Sequence, residues 1–113
     1  MSNEQQFQSF LSEIEQTTNQ KAVQILDTLS RFENDCFTSA KDDSDKFVKC
    51  MTSSMKKLEK EEKRLEYKMA FFQVKTAECF RNAGTNAAEI QKCKENGKAD
   101  IDKYFNDFIN NIK

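Results

Sequence analysis

The sequence predicts an all-α fold, an elongated antiparallel three-helix bundle made of two disulfide-stapled α-hairpins that share the middle helix. Three observations predict it. The chain of 113 residues has no Pro and only two Gly, which disfavours a turn-rich β fold. Apolar residues recur at steps of three and four along three long segments, as they do on one face of a helix. Two segments, each with a pair of Cys, repeat one another.

The composition indicates a thin core. Apolar residues make up 37% of the chain and charged residues 33%, whereas an ordinary domain has about 45–50% and about 25%. The length suits one domain, so we expect a single helical domain over residues 1–113 that is long rather than round.

The first helix is expected over about residues 3–37. Ser2 and Gln5 have the spacing of a capping box that would begin it. Its apolar face is formed by small and apolar residues at helical spacing: Phe7, Leu11, Ile14, Thr18, Ala22, Ile25, Leu29, Phe32 and Cys36.

The second helix is expected over about residues 46–80 and has the most regular pattern. Its middle part is dense in Lys and Glu, with Glu59 four residues before Lys63, an arrangement that keeps an exposed helix stable. Such alternating charge is typical of a hydrated helix face, and a docking strip for a charged partner is the other interpretation. The expected inner face comprises Val48, Met51, Met55, Leu58, Glu62, Leu65, Met69, Phe72, Thr76 and Cys79.

The third helix is expected over about residues 86–112, and Asn86 with Glu89 gives it a capping pattern. The dipeptide Asn96-Gly97 is a turn signal, so we expect a kink near residue 97. The polar segments 38–46 and 81–85 are interpreted as turns between antiparallel helices.

An internal repeat frames the two turns. The residues Cys36-Phe37-x-x-Ala40 with Lys49-Cys50 recur 43 residues later as Cys79-Phe80-x-x-Ala83 with Lys92-Cys93, so five positions are identical. The repeat predicts two copies of one supersecondary unit, an α-hairpin with a cysteine on each leg beside the turn.

The positions of the four cysteines limit what they can do. Cys50 and Cys79 lie at opposite ends of one helix, on the order of 43 Å apart at about 1.5 Å per residue, which excludes a shared zinc site in an unbroken helix. Within each hairpin, facing residues of antiparallel helices come close enough for a disulfide. We therefore predict the pairs Cys36–Cys50 and Cys79–Cys93. Four buried free thiols are the alternative.

Several function classes fit the sequence poorly. The chain has no His, the commonest general base and zinc ligand, so we expect no enzyme, no catalytic residues, no metal, no cofactor and no small-molecule substrate. A net charge of −1 argues against nucleic acid as a partner. The longest apolar run, residues 69–72, is far too short to cross a bilayer, and the N-terminus lacks a secretory signal or cleaved presequence pattern.

The chain has more Phe than three narrow apolar faces require. Ten Phe are present, and Tyr104 with Phe108 would suffice to fill the bundle at its C-terminal end. Clustered aromatic residues on a surface mark partner contacts, and a wider core is the equal alternative. The residues that lie off the main faces, and are the candidate partner-binding residues, are Phe10, Phe71, Val74, Phe105 and Ile109.

Paired cysteines on antiparallel helices resemble those of proteins of the mitochondrial intermembrane space, namely the small Tim chaperones and the coiled-coil-helix-coiled-coil-helix proteins. In those proteins aromatic and apolar residues on the helix face of a cysteine serve as the import signal. Ile25, Leu29 and Phe32 before Cys36 look like that pattern, as does Phe72 before Cys79. The resemblance implies an oxidising compartment, the intermembrane space.

The layout is most similar to that of the proteins called family with sequence similarity 136, which have two hairpins joined by one long charged helix. Residues 20–112 can be laid on that plan. The family has Cys-x-x-x-Cys pairs, and only the inner cysteine of each pair is present here. The outer positions are occupied by Phe32, Ser54, Lys75 and Gly97.

From the resemblance and the surplus Phe we expect a non-enzymatic structural subunit of a respiratory-chain or other inner-membrane assembly that faces the intermembrane space. It would bind protein partners in a large complex and lie at most peripherally on the membrane. Two alternatives stay open: a small Tim-like chaperone for imported membrane proteins, and a cytoskeletal or ciliary structural protein with reduced cysteines.

Overall fold

In the computed structural model, which describes residues 2–113, the chain forms three helices: α1 (Asn3–Ala40), α2 (Ser44–Ala83) and α3 (Ala87–Ile112). No strand occurs in that range. Short turns make neighbouring helices antiparallel, and the molecule measures 64 × 20 × 16 Å with a radius of gyration of 18.7 Å. A compact domain of this length has about 13 Å, so the predicted all-α, elongated bundle is confirmed.

Side-chain caps fix where each helix begins. The Ser2 hydroxyl accepts a hydrogen bond from the backbone N–H of Gln5, whose side chain accepts one from Ser2, so the capping box is present. Asp43 caps α2, and Asn86 caps α3. Helices α1 and α2 both end three residues beyond the expected positions 37 and 80, because each turn needs only three residues between the last helical Ala and the next helix.

The two turns have the same backbone. Lys41 ends α1 with φ 56° and ψ −115°, and Gly84 ends α2 with φ 58° and ψ −118°. The capping residue, Asp43 or Asn86, comes two positions later. Its backbone N–H donates to the carbonyl of the last helical Ala at 3.0 Å in both turns. The repeat therefore extends from five identical residues to the whole turn conformation.

The core lies in the part of the molecule where all three helices overlap. The largest fully buried side chains include Phe10 of α1, Phe72 and Phe80 of α2 and Ile101 of α3. A second, smaller cluster of Leu58, Phe108 and Ile112 closes the far end of this region. The main cluster comprises Phe10, Ile14, Phe72, Phe80, Ile90, Cys93, Ile101 and Phe105.

Two of the candidate partner-binding residues, Phe10 and Phe105, are in this core rather than on the surface. Phe10 is 0% exposed and Phe105 is 4% exposed, so the expectation that they face outward is wrong. Each helix here is covered by two neighbours, so its buried face is wider than one row of residues at steps of three and four. For these two Phe residues the wider-core alternative is the right one.

Helix α3 continues through Gly97 without a break, so the dipeptide Asn96-Gly97 does not form a turn. Gly97 is buried, and an added Cβ would lie 2.7 and 2.9 Å from two ring atoms of Phe10 and 3.3 Å from Phe72. The glycine thus serves close packing between α1 and α3 rather than a turn.

The inner face of α2 also differs from expectation at its N-terminal end. Val48 and Met55 are exposed, because the Lys57 side chain already reaches the terminal carbonyl oxygen of Lys113 at 3.1 Å and α3 extends no further. Glu62 is exposed as well, because the neighbouring Glu61 faces α3 in its place. Glu61, rather than its neighbour, is buried at 7% exposure.

Glu61 is buried with hydrogen bonds from two helices. Its carboxylate accepts from Arg64 Nη1 of α2 and from Asn111 Nδ2 of α3, both at 3.3 Å. A buried carboxylate is stable only with such partners, so Glu61 connects the end of α3 to the middle of α2.

Candidate docking surface

Two disulfides join the helices beside the turns. Cys36 bonds to Cys50 with 5.6 Å between their Cα atoms, and Cys79 bonds to Cys93 with 5.8 Å. Both predicted pairs are confirmed. Closing a loop of this size stabilises a fold by about 3 kcal/mol, which is substantial for a chain with so small a core.

A row of large apolar residues lies on the outer face of α2. Tyr67, Phe71 and Val74 are 68%, 59% and 67% exposed. Their spacing of four and three residues places them on one face of the helix, roughly opposite the buried Phe72 and Thr76 at about 100° per residue. We call these three residues the outer stripe.

Basic residues continue the outer stripe toward the N-terminal end of α2. Lys56, Lys60 and Lys63 share its side of the helix and are exposed, and Glu59 and Glu66 lie beside them. Together with Tyr67 these residues line a shallow depression on the outer face. The face therefore offers a partner an aromatic half and a half of mixed charge, in which Lys63 pairs with Glu66 at 3.8 Å.

Three of the candidate partner-binding residues are accessible to different extents. Phe71 and Val74 are exposed as predicted. Ile109 is half-buried and packs against the cluster of Leu58 and Phe108, so only part of it faces outward. Sequence reasoning missed Tyr67, although its position four residues before Phe71 is a signal that the helical period alone provides.

A second group of exposed apolar residues lies on the first hairpin. Leu26 and Phe37 of α1 are 65% and 68% exposed, and Val48 and Met55 of α2 are 58% and 44% exposed. We call these four residues the first-hairpin face. Val48 and Met55 were predicted on the inner face of α2, and the exposure of Phe37 was missed because its identity with Phe80 in the repeat does not reveal which copy is covered.

An ion pair between α2 and α3 lies near the outer stripe. Lys75 Nζ donates to Asp100 Oδ2 at 2.8 Å, and this hydrogen bond raises the pKa of Lys75 above its ordinary value. Burial, and then the charge of Asp100, raise the pKa of Tyr104. The ion pair of Lys75 and Asp100 thus connects α2 to α3.

Among residues 2–113 no cluster of three or more His, Cys, Asp or Glu is arranged to hold a metal ion. Within the same range no helix combines the length and the apolar character that a membrane span requires.

Comparison with protein-family models, curated proteins and solved structures finds no match. The two disulfides and the exposed apolar surfaces are the features of the molecule that bear on its function.

Proposed function

We propose that this protein is a non-enzymatic structural subunit of an inner-membrane assembly, such as a respiratory complex, and that it works in the mitochondrial intermembrane space. The fold suits a mechanical role, because two disulfides fix both ends of a rod 64 Å long. Disulfides persist in oxidising compartments, and the resemblance to proteins with paired cysteines on helical hairpins favours this one.

The outer stripe is the observation that carries the proposal. Tyr67, Phe71 and Val74 leave most of their surface in water although they lie at the middle of the longest helix. Aromatic residues are enriched at the centres of protein interfaces, and the neighbouring mixed charges of Lys60, Lys63 and Glu66 suit a polar rim. The partner surface would thus be an apolar patch with a polar rim.

A native gel of gently solubilised mitochondria tests the proposal. We expect the protein to comigrate with one large complex, and we expect the double variant Phe71→Ser, Val74→Ser to be released as a monomer. Val23→Ser is the matched control, since Val23 on α1 is 67% exposed, like Val74. The variants change exposed residues only, so their melting temperatures should equal that of the unmodified chain.

Other outcomes of the same gel favour other functions. A soluble ring-like oligomer that crosslinks to many imported membrane proteins would replace the subunit by a small Tim-like chaperone, for which the apolar surfaces would hold clients. A free soluble monomer in mitochondria would contradict the subunit role. Cysteines found reduced in a cytoskeletal or ciliary fraction would favour the third alternative.

A further inference from the structure

The internal repeat provides a template for how an α-hairpin of this kind is covered. In the second hairpin the cover is the N-terminal end of α1. The Phe80 ring is 1% exposed and packs on Phe7 and Phe10, at 5.3 and 5.8 Å between ring centroids. Asn3 Nδ2 donates to the carbonyl oxygens of Phe80 and Gly84 at 2.8 and 2.7 Å. The Asn3 side chain and the two aromatic residues Phe7 and Phe10 thus cover the end of the second hairpin.

The first hairpin presents the equivalent positions without a cover. Phe37 corresponds to Phe80 and is 68% exposed. Leu26 is 65% exposed, whereas its equivalent Met69 packs against the main core. The backbone conformation of the two turns is the same, so the difference between the hairpins is the missing third helix and not the hairpin itself.

Helix α3 does not provide this cover. It ends at Ile112, and its last turns pack near Phe32 of α1. Phe37 follows Phe32 by five residues, which at about 100° per residue turns it roughly 140° away. The first-hairpin face therefore points away from α3, and a further helix can lie on it along α1 and α2.

The substitutions between the two copies define the residues that such a helix would carry. Lys98 of the second hairpin forms an ion pair with Glu13 of α1 at 3.5 Å, and its equivalent in the first hairpin is Met55. At the position equivalent to Glu13 the bound helix would therefore carry an apolar residue. Gly97, which makes room for Phe10, is replaced by Ser54 in the first hairpin. At the position equivalent to Phe10 the bound helix would therefore carry a smaller aliphatic residue.

We propose that the first-hairpin face binds an amphipathic helix of another protein, which begins at the Lys41 turn and runs parallel to α2. The bound helix carries an amide side chain that caps the carbonyls of Phe37 and Lys41. An aromatic residue follows four positions later, and aliphatic residues follow seven and ten positions later. That the chain binds a partner protein rests on the proposed function. The site on the first hairpin and the pattern of the bound helix extend that function.

A synthetic peptide tests this site directly. The probe is residues 2–18 of this chain with Phe10→Leu and Glu13→Leu, which converts the cover of the second hairpin into the pattern expected for the first. Binding to the oxidised full-length protein is measured by calorimetry. A photoreactive benzoylphenylalanine at the aromatic position of the peptide then locates the site by crosslinking.

We expect crosslinks to the first-hairpin face and binding about tenfold weaker in Phe37→Ser, since truncating a central aromatic residue typically removes this much. Tyr67→Ser is the comparison, because Tyr67 is also aromatic and 68% exposed but belongs to the outer stripe; binding that is lost in this variant and kept in Phe37→Ser would assign the peptide to the outer stripe and overturn the proposal. Crosslinks to the second hairpin, or no binding at about 1 mM peptide, would overturn the proposal. A dimer of the free chain that Phe37→Ser converts to monomer would also overturn it, since a second copy would then be the occupant.

The two proposals fail in different ways. If the chain is a free monomer in mitochondria but binds the peptide at Phe37, the subunit role fails and the site stands. If the chain comigrates with a complex and the peptide does not bind, the subunit role stands and the helix-binding site is wrong.

Discussion

Lys41 and Gly84 occupy equivalent positions 43 residues apart and adopt the same positive-φ backbone, at 56° and 58°. Glycine takes such a conformation freely, whereas a side chain with a Cβ is strained in it by about 1–3 kcal/mol. The turn of the second hairpin is therefore relaxed, and that of the first stores strain at Lys41.

Replacing Lys41 by Gly should stabilise the protein by about 1 kcal/mol, because relief of strain exceeds the greater flexibility of the unfolded chain. The converse change, Gly84→Ala, should destabilise it by a similar amount. An added Cβ at Gly84 has no atom within 4 Å, so backbone strain is the sole cause there. Denaturant unfolding of the oxidised protein measures both changes, and a less stable Lys41→Gly variant would contradict the strain at this turn.

Gly97→Ala should destabilise the bundle by up to about 2 kcal/mol. The new methyl would meet the Phe10 ring at 2.7 Å, and overpacking of this kind costs about 1–3 kcal/mol, which exceeds the gain of about 1 kcal/mol in helix propensity. The fully buried Phe10 cannot swing aside. In the double variant with Phe10→Leu the methyl should cost less, as a double-mutant cycle measures. Additive effects would mean that the two residues do not touch.

The two disulfides should differ in what their removal does. Cys93 belongs to the main core cluster, whereas the Cys36–Cys50 bond joins two helices beyond the end of α3. Cys79→Ala with Cys93→Ala should therefore lower the global free energy of unfolding by about 3 kcal/mol. Cys36→Ala with Cys50→Ala should instead cause local unfolding at the end of the first hairpin, residues 33–55.

Amide hydrogen exchange with calorimetry separates these effects. Residues 33–55 should exchange faster in the variant without the first disulfide, and its melting temperature should fall less than that of the other variant. Equal losses of melting temperature, with protection unchanged at residues 33–55, would contradict the claim that the end of the first hairpin unfolds independently of the main core.

The contribution of Lys75 should depend on pH. Because the folded pKa of Lys75 is raised by Asp100, the ion pair stabilises the protein fully below the unfolded pKa of about 10.4, and this stabilisation is lost as pH rises through the folded value. Lys75→Met should cost less than about 1 kcal/mol at pH 8, since the lysine is half-exposed and water screens the pair. The difference between the two proteins in urea unfolding should shrink above the raised pKa. A difference that grows with pH would contradict the ion pair.

The sequence was sufficient to predict the three helices, their antiparallel order and both disulfides. Periodicity and the Cys-Phe-x-x-Ala repeat are local signals, and the pairing of Cys36 with Cys50 follows because facing residues beside the turn of an antiparallel hairpin come close together. Burial of individual aromatic residues was not predictable in this way. Phe10 and Phe105 are covered by a third helix whose lateral position no local pattern encodes.

The exposure of residues on the candidate surface was likewise only partly predictable from the sequence. Phe71 and Val74 were predicted because they lie off a regular face, and they are exposed. The exposure of Phe37 was not predictable, since its equivalent Phe80 is buried by α1 and the difference depends on which hairpin the N-terminal helix packs against.

The redox state of the cysteines in cells tests the central claim most directly. Cells are quenched in acid, and the free thiols are labelled with a maleimide reagent before and after reduction, followed by gel shift and peptide mass mapping of each fraction. We predict four thiols protected without reductant in the mitochondrial fraction, with the peptides of Cys36 and Cys50 linked and those of Cys79 and Cys93 linked. Four thiols labelled without reductant would contradict the account.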